Sequence, residues 1–424
     1  MIIRPRCEFP GGIPDASLLE SCLKEHLSSV DRLSRLRSYY DGSHPIHQRR
    51  KSPGQPNNRI AHGFPRYIAT MAAGYLIGNP VSYEADDQEN ALIALMKEYT
   101  AGAIDSVDAE LARNASIYGK GVELIYADEN ARPRATAIDP RDAFVVYDDS
   151  VENRPMLGMY AMPWRSPDGR LMGYFVYVYT CDSMITYRMK SLSQPDMKHP
   201  ESVKSHYFGC VPLIEYWNDE DEKGDFEGVI SLIDAYDLLQ SDRMNDKQQF
   251  VDALLVLYGC SLETDASGRT PGQQLREDKA LSLPDCDARA EWLCKQLNEA
   301  DTEVLRSAIK SDIHKMSMVP DLTDEHFAGN SSGVAMRYKL LGLEQLTRIK
   351  ERWFREALRQ RLRAYAAFLA CRGEAILDPD KVRMVFTRAL PVNELETAQT
   401  LNTLMGILPA EELEKRAMNM AGSR

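Results

Sequence analysis

The chain has 424 residues, 44% of them hydrophobic, and a formal net charge of −12. That is enough apolar material for sizeable cores in two or three domains. The acidic balance argues against a protein that grips nucleic acid tightly, because such binding needs Lys and Arg on the phosphates, but it leaves looser, sliding contact open.

The eight cysteines, at 7, 22, 181, 210, 260, 286, 294 and 371, include no C-x-x-C and no zinc spacing. They read as reduced thiols. The opening MIIRPRCEFPGG lacks the apolar centre of a signal peptide, and the longest apolar run, ALLVLYG at 253–259, is too short to span a bilayer. A soluble protein made in a cytoplasm is therefore expected.

From Asp15 onward Leu18, Cys22, Leu23, Leu27, Val30, Leu33 and Leu36 recur at helical spacing, and YYDGSHP at 39–45 stops the helix. A polar loop, HQRRKSPGQPNNR at 47–59, leads to a helix over about 60–77 and another over about 88–118. Between 121 and about 217 short strands alternate with turns, over 121–128, 134–140, 143–149, 156–162, 171–181 and 183–190, which predicts antiparallel sheet. After NDEDEKGDFEG (218–228) the spacing predicts a helix over 225–250, a strand at ALLVLYG, a mixed insertion and a helix over 299–317. MVPDLTDEHFAGN (318–330) then links to one long helix over 332–372, about 60 Å at 1.5 Å per residue. Gly342 lies inside that helix and predicts a kink. A strand at 381–391 and a short helical tail follow.

Gly329-Asn330-Ser331-Ser332-Gly333 matches G-x-S-x-G, so Ser331 is a candidate nucleophile. The preceding PDLTDEHFA is too polar for the buried strand such an elbow needs, and no histidine follows Ser331. The simpler reading is that Ser331 or Ser332 caps the long helix while Gly329 and Gly333 ease the turn. No phosphate loop is present. Asp219 to Gly224 resembles a calcium loop weakly, but Lys223 fills a ligand position and Ile230 replaces the required glutamate, so a solvated acidic turn is expected. His44 and His47 flank Pro45, which does not suit a helical ligand pair, and HQRRK at 47–51 reads as an exposed basic loop. No metal or cofactor is expected.

The long helix carries ten Arg or Lys against Glu344, Glu351 and Glu356, a net +7. Arg348, Arg352, Trp353, Arg355 and Arg359 are candidates for contact with neighbouring copies. Their candidate counterparts are acids of the 225–250 helix such as Asp234 and Asp237. A solvated basic face explains the same composition. The expectation behind the first reading is that so long a helix cannot bury all its sides within one compact domain.

The order of segments over residues 33–395 resembles the portal proteins of tailed bacteriophages, of the type found in long-tailed phages of Gram-positive hosts. The likeness rests on YYDGSHPI (39–46), NNRIAHGFPRYIATMAAGYLIGNPVSYE (57–84), the stretch from Ala112 to Ser150, the stretch from Gly209 to Gly259, SSGVAMRYKLLGLE (331–344) and FTRALPVNE (386–394). The resemblance implies an α+β portal fold and no enzyme. Its parts would be an α/β wing over 1–223, stem helices over 224–251 and 298–317, and a small α/β clip over 252–297. A channel loop would follow over 318–331, then a long kinked helix over 332–380, a return strand to the wing over 381–395 and a short crown over 396–424. It implies a ring of twelve copies at a capsid vertex of the virion, made in the host bacterial cytoplasm. Double-stranded DNA passes through without sequence recognition. Implied partners are the terminase large subunit, a head–tail connector, and the major capsid and scaffolding proteins, with no membrane. In the channel loop Val319, Asp321, Leu322, Thr323, Asp324, Glu325 and His326 would face DNA, and Gly329, Ser331, Ser332 and Gly333 would form the hinge of the long helix. The alternatives are a monomeric adaptor and a serine hydrolase using Ser331.

Overall fold

The structure is a computed structural model, and it describes residues 1–9, 13–53, 55–85, 87–249, 254–258, 289–293, 299–322, 338–374, 376–388 and 403. In chain order the first elements are β1 (Ile2–Arg4), α1 (Ala16–Tyr40), α2 (Phe64–Ile77), β2 (Ser82–Glu84), α3 (Glu89–Ala101) and α4 (Ile104–Tyr118). Eight strands follow: β3 (Lys120–Ala127), β4 (Pro133–Ile138), β5 (Ala143–Asp148), β6 (Pro155–Arg165), β7 (Leu171–Tyr179), β8 (Ser183–Met189), β9 (Ser202–Ser205) and β10 (Leu213–Trp217). Then come α5 (Ile230–Gln249), β11 (Leu254–Tyr258), β12 (Arg289–Leu293), α6 (Glu299–Ser317), α7 (Leu341–Cys371) and β13 (Arg383–Val385). The result is a mixed helix-and-sheet chain, as the sequence predicts.

The chain divides into two compact units. The first comprises Met1–Ser43, Gly63–Ser231 and Asp312–Arg424; the second comprises His44–His62 and Leu232–Ser311. In the first unit a six-stranded sheet runs in the order β1-β5-β6-β7-β8-β9. It is antiparallel except where β1 lies parallel to β5. Leu19, Cys22 and Leu23 of α1 bury against Phe144, Leu157, Val176, Val178 and Ile185 of this sheet. His26 of α1 stacks on Phe144 with ring centroids 4.4 Å apart, and its Nε2 lies 2.9 Å from the Arg141 carbonyl. Burial pushes its pKa down to about 4, so the ring is neutral near pH 7. A second sheet, β10-β3-β4, is antiparallel, and β13 pairs antiparallel with β2.

Two expectations are corrected and a third gains detail. The helix expected over 88–118 is two helices, because Ala103 takes a left-handed φ of 49° and Gly102 closes α3 by bonding back to Glu98. The helix expected from about 60 begins at Phe64. The amides of Ile60 and His62 instead donate to the side chains of Ser241 and Asp237, at 3.0 and 2.8 Å. The acidic turn at 218–224 exposes Glu220, Asp221 and Lys223, as expected, while its backbone is seated on the fold. A Cβ on Gly119 would meet the Glu222 carbonyl at 1.9 Å and one on Gly224 the Ile117 carbonyl at 2.4 Å, so the turn backbone packs on the end of α4. Glu222 also pairs with Lys120.

In the second unit the 44–62 segment is held along α5 by polar bonds about one helical turn apart. His44 Nδ1 lies 2.5 Å from the Asp237 carboxylate, and His62 Nδ1 lies 2.9 Å from it. Asn58 donates its backbone amide to Asn245 at 2.6 Å. Arg49 and Lys51, expected to be exposed, pair with Asp242 at 2.8 and 3.0 Å. Arg243 of α5 reaches Glu303 of α6 at 3.0 Å, and Arg306 of α6 donates to the Tyr236 hydroxyl at 3.1 Å. β11 and β12 form an antiparallel pair with Leu254 opposite Leu293. Among the described residues no helix is long and apolar enough to cross a membrane.

Candidate functional site

Two constellations in the first unit concern the segments that the sequence singles out. The first is the root of the 318–331 segment. α6 ends at Ser317, and Met318 turns the chain with a left-handed φ of 59°. A methionine bears that conformation only where its surroundings fix it. His314, one turn before the end of α6, supplies part of the fixing. Its Nδ1 donates to the Val319 carbonyl at 2.9 Å, and its Nε2 faces the Asp321 carboxylate at 3.9 Å. Tyr67 of α2 supplies the rest. Its hydroxyl donates to the Pro320 carbonyl at 2.8 Å and accepts from the Leu322 amide at 3.1 Å. The rings of Phe64 and Tyr67 both stand edge-on to His314, with centroids 5.8 Å away. Three aromatic groups thus fix the backbone of 319–322 at the point where the segment leaves the unit.

The second constellation is α7. Thirty-one residues at 1.5 Å each make it about 46 Å long. It is broken from the helical turn at 338–339 by Leu340, two residues before the Gly342 that predicts a kink. Leu343, Thr347, Lys350, Phe354, Ala357, Leu358, Arg361, Leu362, Tyr365 and Phe368 form its buried face. The distal half packs with α2, α3, α4, β4 and β10 in the largest core of the unit. Two cations lie on that buried face. Lys350 Nζ contacts the Asp225 carboxylate at 2.5 Å and the Ser116 hydroxyl at 2.7 Å. Arg361 has no solvent exposure, and its guanidinium lies 2.6 Å from Asp108 and 2.7 Å from Glu123. Glu123 accepts in addition from the Tyr216 hydroxyl at 2.7 Å. Burial raises the pKa of both carboxyls against the pull of Arg361. Charges held in this way pin a helix, because withdrawing either partner strands the other away from water.

One side of the helix is thus covered by its own unit, in agreement with the expectation that so long a helix does not bury all its sides there. Five of its cations also have acid partners in the same chain: the two pins, Arg348 with Glu344, Arg355 with Glu351 and Arg363 with Asp380; Arg372, just past its end, pairs with Glu374. Trp353 is half-buried against Trp217, with centroids 5.1 Å apart, and Arg352 is exposed. Arg359 is half-buried in a groove beside β13. Asp237 is buried beneath His44 and His62, so it is a corrected assignment: its carboxylate is used inside its own unit. Asp234, on the same helix, is half-buried.

Of the proposed channel residues, Val319 is fully buried and belongs to the root, which corrects its assignment to a DNA-facing surface. Asp321 is half-buried toward His314, and Leu322 is exposed. Thr323, Asp324, Glu325, His326, Gly329, Ser331, Ser332 and Gly333 lie outside the described residues. Tyr67, His314, Lys350 and Arg361 were not singled out from sequence. A signal exists for the last two, since both fall on the apolar stripe 343, 347, 350, 354, 357, 361, 365, 368.

Comparison with known proteins gives the family. The family described as phage portal protein, SPP1 Gp6-like, matches residues 19–423. The portal protein of Bacillus phage SPP1 is 24% identical over 421 residues, covering 92% of this chain and 80% of that protein. The portal protein of Clostridium phage phiCD119 is 22% identical over 375 residues, covering 84% of this chain and 80% of its own length. Both are from phages of Gram-positive hosts, as the sequence resemblance implies. A match that runs through both units and both constellations places this chain in the SPP1 Gp6-like family of phage portal proteins.

Proposed function

We propose that the chain is the protomer of a closed ring, of twelve copies, at one vertex of a bacteriophage capsid, through which double-stranded DNA is packaged and later ejected. The observation that carries this reading is the family match across residues 19–423. In this reading 1–223 with the return strand forms the wing, α5 and α6 form the stem, and 252–297 forms the clip that meets the terminase large subunit and then a head–tail connector. Residues 318–331 form the channel loop, α7 stands behind it, and the chain closes in a short crown. Capsid and scaffolding proteins surround the ring. It is a virion component, made in the host cytoplasm, without catalytic residues, metal or cofactor.

Electrostatics supports the same reading. A conduit must not hold phosphates, since many simultaneous Lys or Arg contacts would trap the polymer. Net charge −12 suits a wall that repels the DNA backbone and reads no base. The loop carries Asp321, Asp324 and Glu325 and no Lys or Arg between 318 and 331. With Val319 assigned to the root, the DNA-facing part begins at Leu322, and the hinge from loop to helix is Gly329–Gly333.

The test is packaging in infected cells. Phage lacking this gene should accumulate capsids without DNA, and supplying the wild-type protein should restore filled heads. An Asp324→Lys, Glu325→Lys variant should assemble yet fill heads more slowly. Filled heads in the absence of the protein would overturn the reading, and an unchanged filling rate in the lysine variant would overturn the role of the loop acids.

A further inference from the structure

Beside the buried face of α7, on its way to β13, the first unit carries a groove of about 380 Å³. Its walls hold Arg355, Arg359 and Arg383 against one acid, Glu351, with Phe386 on the β13 side. Glu351 is not free to serve the groove. One of its oxygens takes Arg355 at 2.5 Å, and the other takes Arg388 at 2.7 Å. The Arg355 guanidinium is steadied 5.3 Å over the Phe386 ring. Two N–H groups of its wall, Arg355 Nε and Arg359 Nε, and Arg388 Nη1 close by are shut away from solvent and have no acceptor among the described residues. Buried donors in folded proteins are nearly always satisfied, so an unmet group asks what supplies its partner. The guanidinium groups of Arg355, Arg359 and Arg383 that line the groove suit a planar, multidentate acceptor, and a carboxylate has that geometry.

We propose that this groove is a socket for carboxylate side chains of a second copy of this chain; the proposal rests on the ring reading above. The partner is chosen by charge. The chain carries 63 acids against 51 Lys and Arg, so another copy offers carboxylates in excess, while α7 concentrates the cations. A nucleic-acid backbone suits the groove less well. Glu351 in its wall and Glu344, bonded to Arg388 at 3.1 Å, would face a run of phosphates. An isolated carboxylate brings a single charge past those acids.

The experiment uses the full chain. Wild type, Arg355→Glu/Arg359→Glu, Arg359→Gln and a control, Arg170→Glu on an exposed turn of the six-stranded sheet, are compared across a concentration series by mass photometry. Salt is varied, and thermal melting checks the fold. The double variant should need at least tenfold more protein to assemble. It should lose much of the salt sensitivity of assembly while melting close to wild type, and Arg170→Glu should assemble normally. If the double variant fails to fold, Arg359→Gln decides by the same shift, expected to be about threefold. Assembly unchanged in the folded variants overturns the socket and leaves the ring intact. Unchanged assembly with weakened binding to a short DNA duplex also overturns it and assigns the groove to phosphate. Absence of any assembly in wild type removes the ring reading itself, and the socket with it.

Discussion

Arg361 shows how one residue decides where the long helix lies. It sits with no solvent exposure between Asp108 and Glu123, and each of the three charges stands on an otherwise apolar face. Asp108 falls in step with Ile104, Leu111, Ala112 and Ala115 of α4, and Glu123 lies inside the buried run of β3. Such placement was readable in the sequence: a charge on the core stripe of one helix needs an opposite charge on the core face of another element. A tally of charges along α7 hid it, because counting ten cations does not tell those facing inward from those facing out. Arg361→Ala should cost about 3–5 kcal/mol in chemical denaturation, since it strands two carboxylates. Both carboxyls already stand above their ordinary values of 3.8 and 4.5. A raised carboxyl gives up stability as the pH rises through its folded pKa, so the variant should regain stability as the pH falls toward those ordinary values. Replacing all three by residues of similar shape without charge, Arg361→Met with Asp108→Asn and Glu123→Gln, should come within about 1–2 kcal/mol of wild type. A single alanine variant as stable as wild type would mean that the charges do not pin the helix.

At the scale of elements, long periodic segments were legible and short ones were not. α6 runs over 299–317 as its spacing predicts, and six strands between 120 and 189 fall within a few residues of their expected bounds. β1, β2 and β13 are three residues each, and only their pairing partners make them strands. The break between α3 and α4 escaped because a left-handed alanine has no signature in composition. The root of the 318–331 segment escaped for a related reason: Tyr67 and His314 lie 247 positions apart and meet only in the fold. The root makes a local prediction. Tyr67→Phe keeps the ring against His314 but removes the hydroxyl that accepts from the Leu322 amide and donates to Pro320. Each such bond is worth about 1 kcal/mol, so hydrogen exchange at the Leu322 amide should quicken by about tenfold with little change in global melting. Unchanged exchange would show that the hydroxyl does not hold the root.

For the whole molecule, composition pointed to an acidic, multi-domain chain, and the order of weak motifs pointed to the family, which the match over 19–423 bears out. The candidate site was legible only in outline. The sequence marked the 318–331 segment and the long helix, but the count of charges along that helix did not tell its inward cations from its outward ones, and the helix is half core and half surface. That division changes the argument for assembly. The buried side needs no neighbour, so what remains for neighbours is the outer side, with Arg352, Arg359 and the groove beside β13. The central claim, that this chain works as a closed annulus, is tested most directly by imaging concentrated purified protein in negative stain and counting its rotational symmetry. The account predicts closed rings with an open centre, whose mass is a whole-number multiple of 47.9 kDa. Single protomers at every concentration, with no ring in any image, would contradict it.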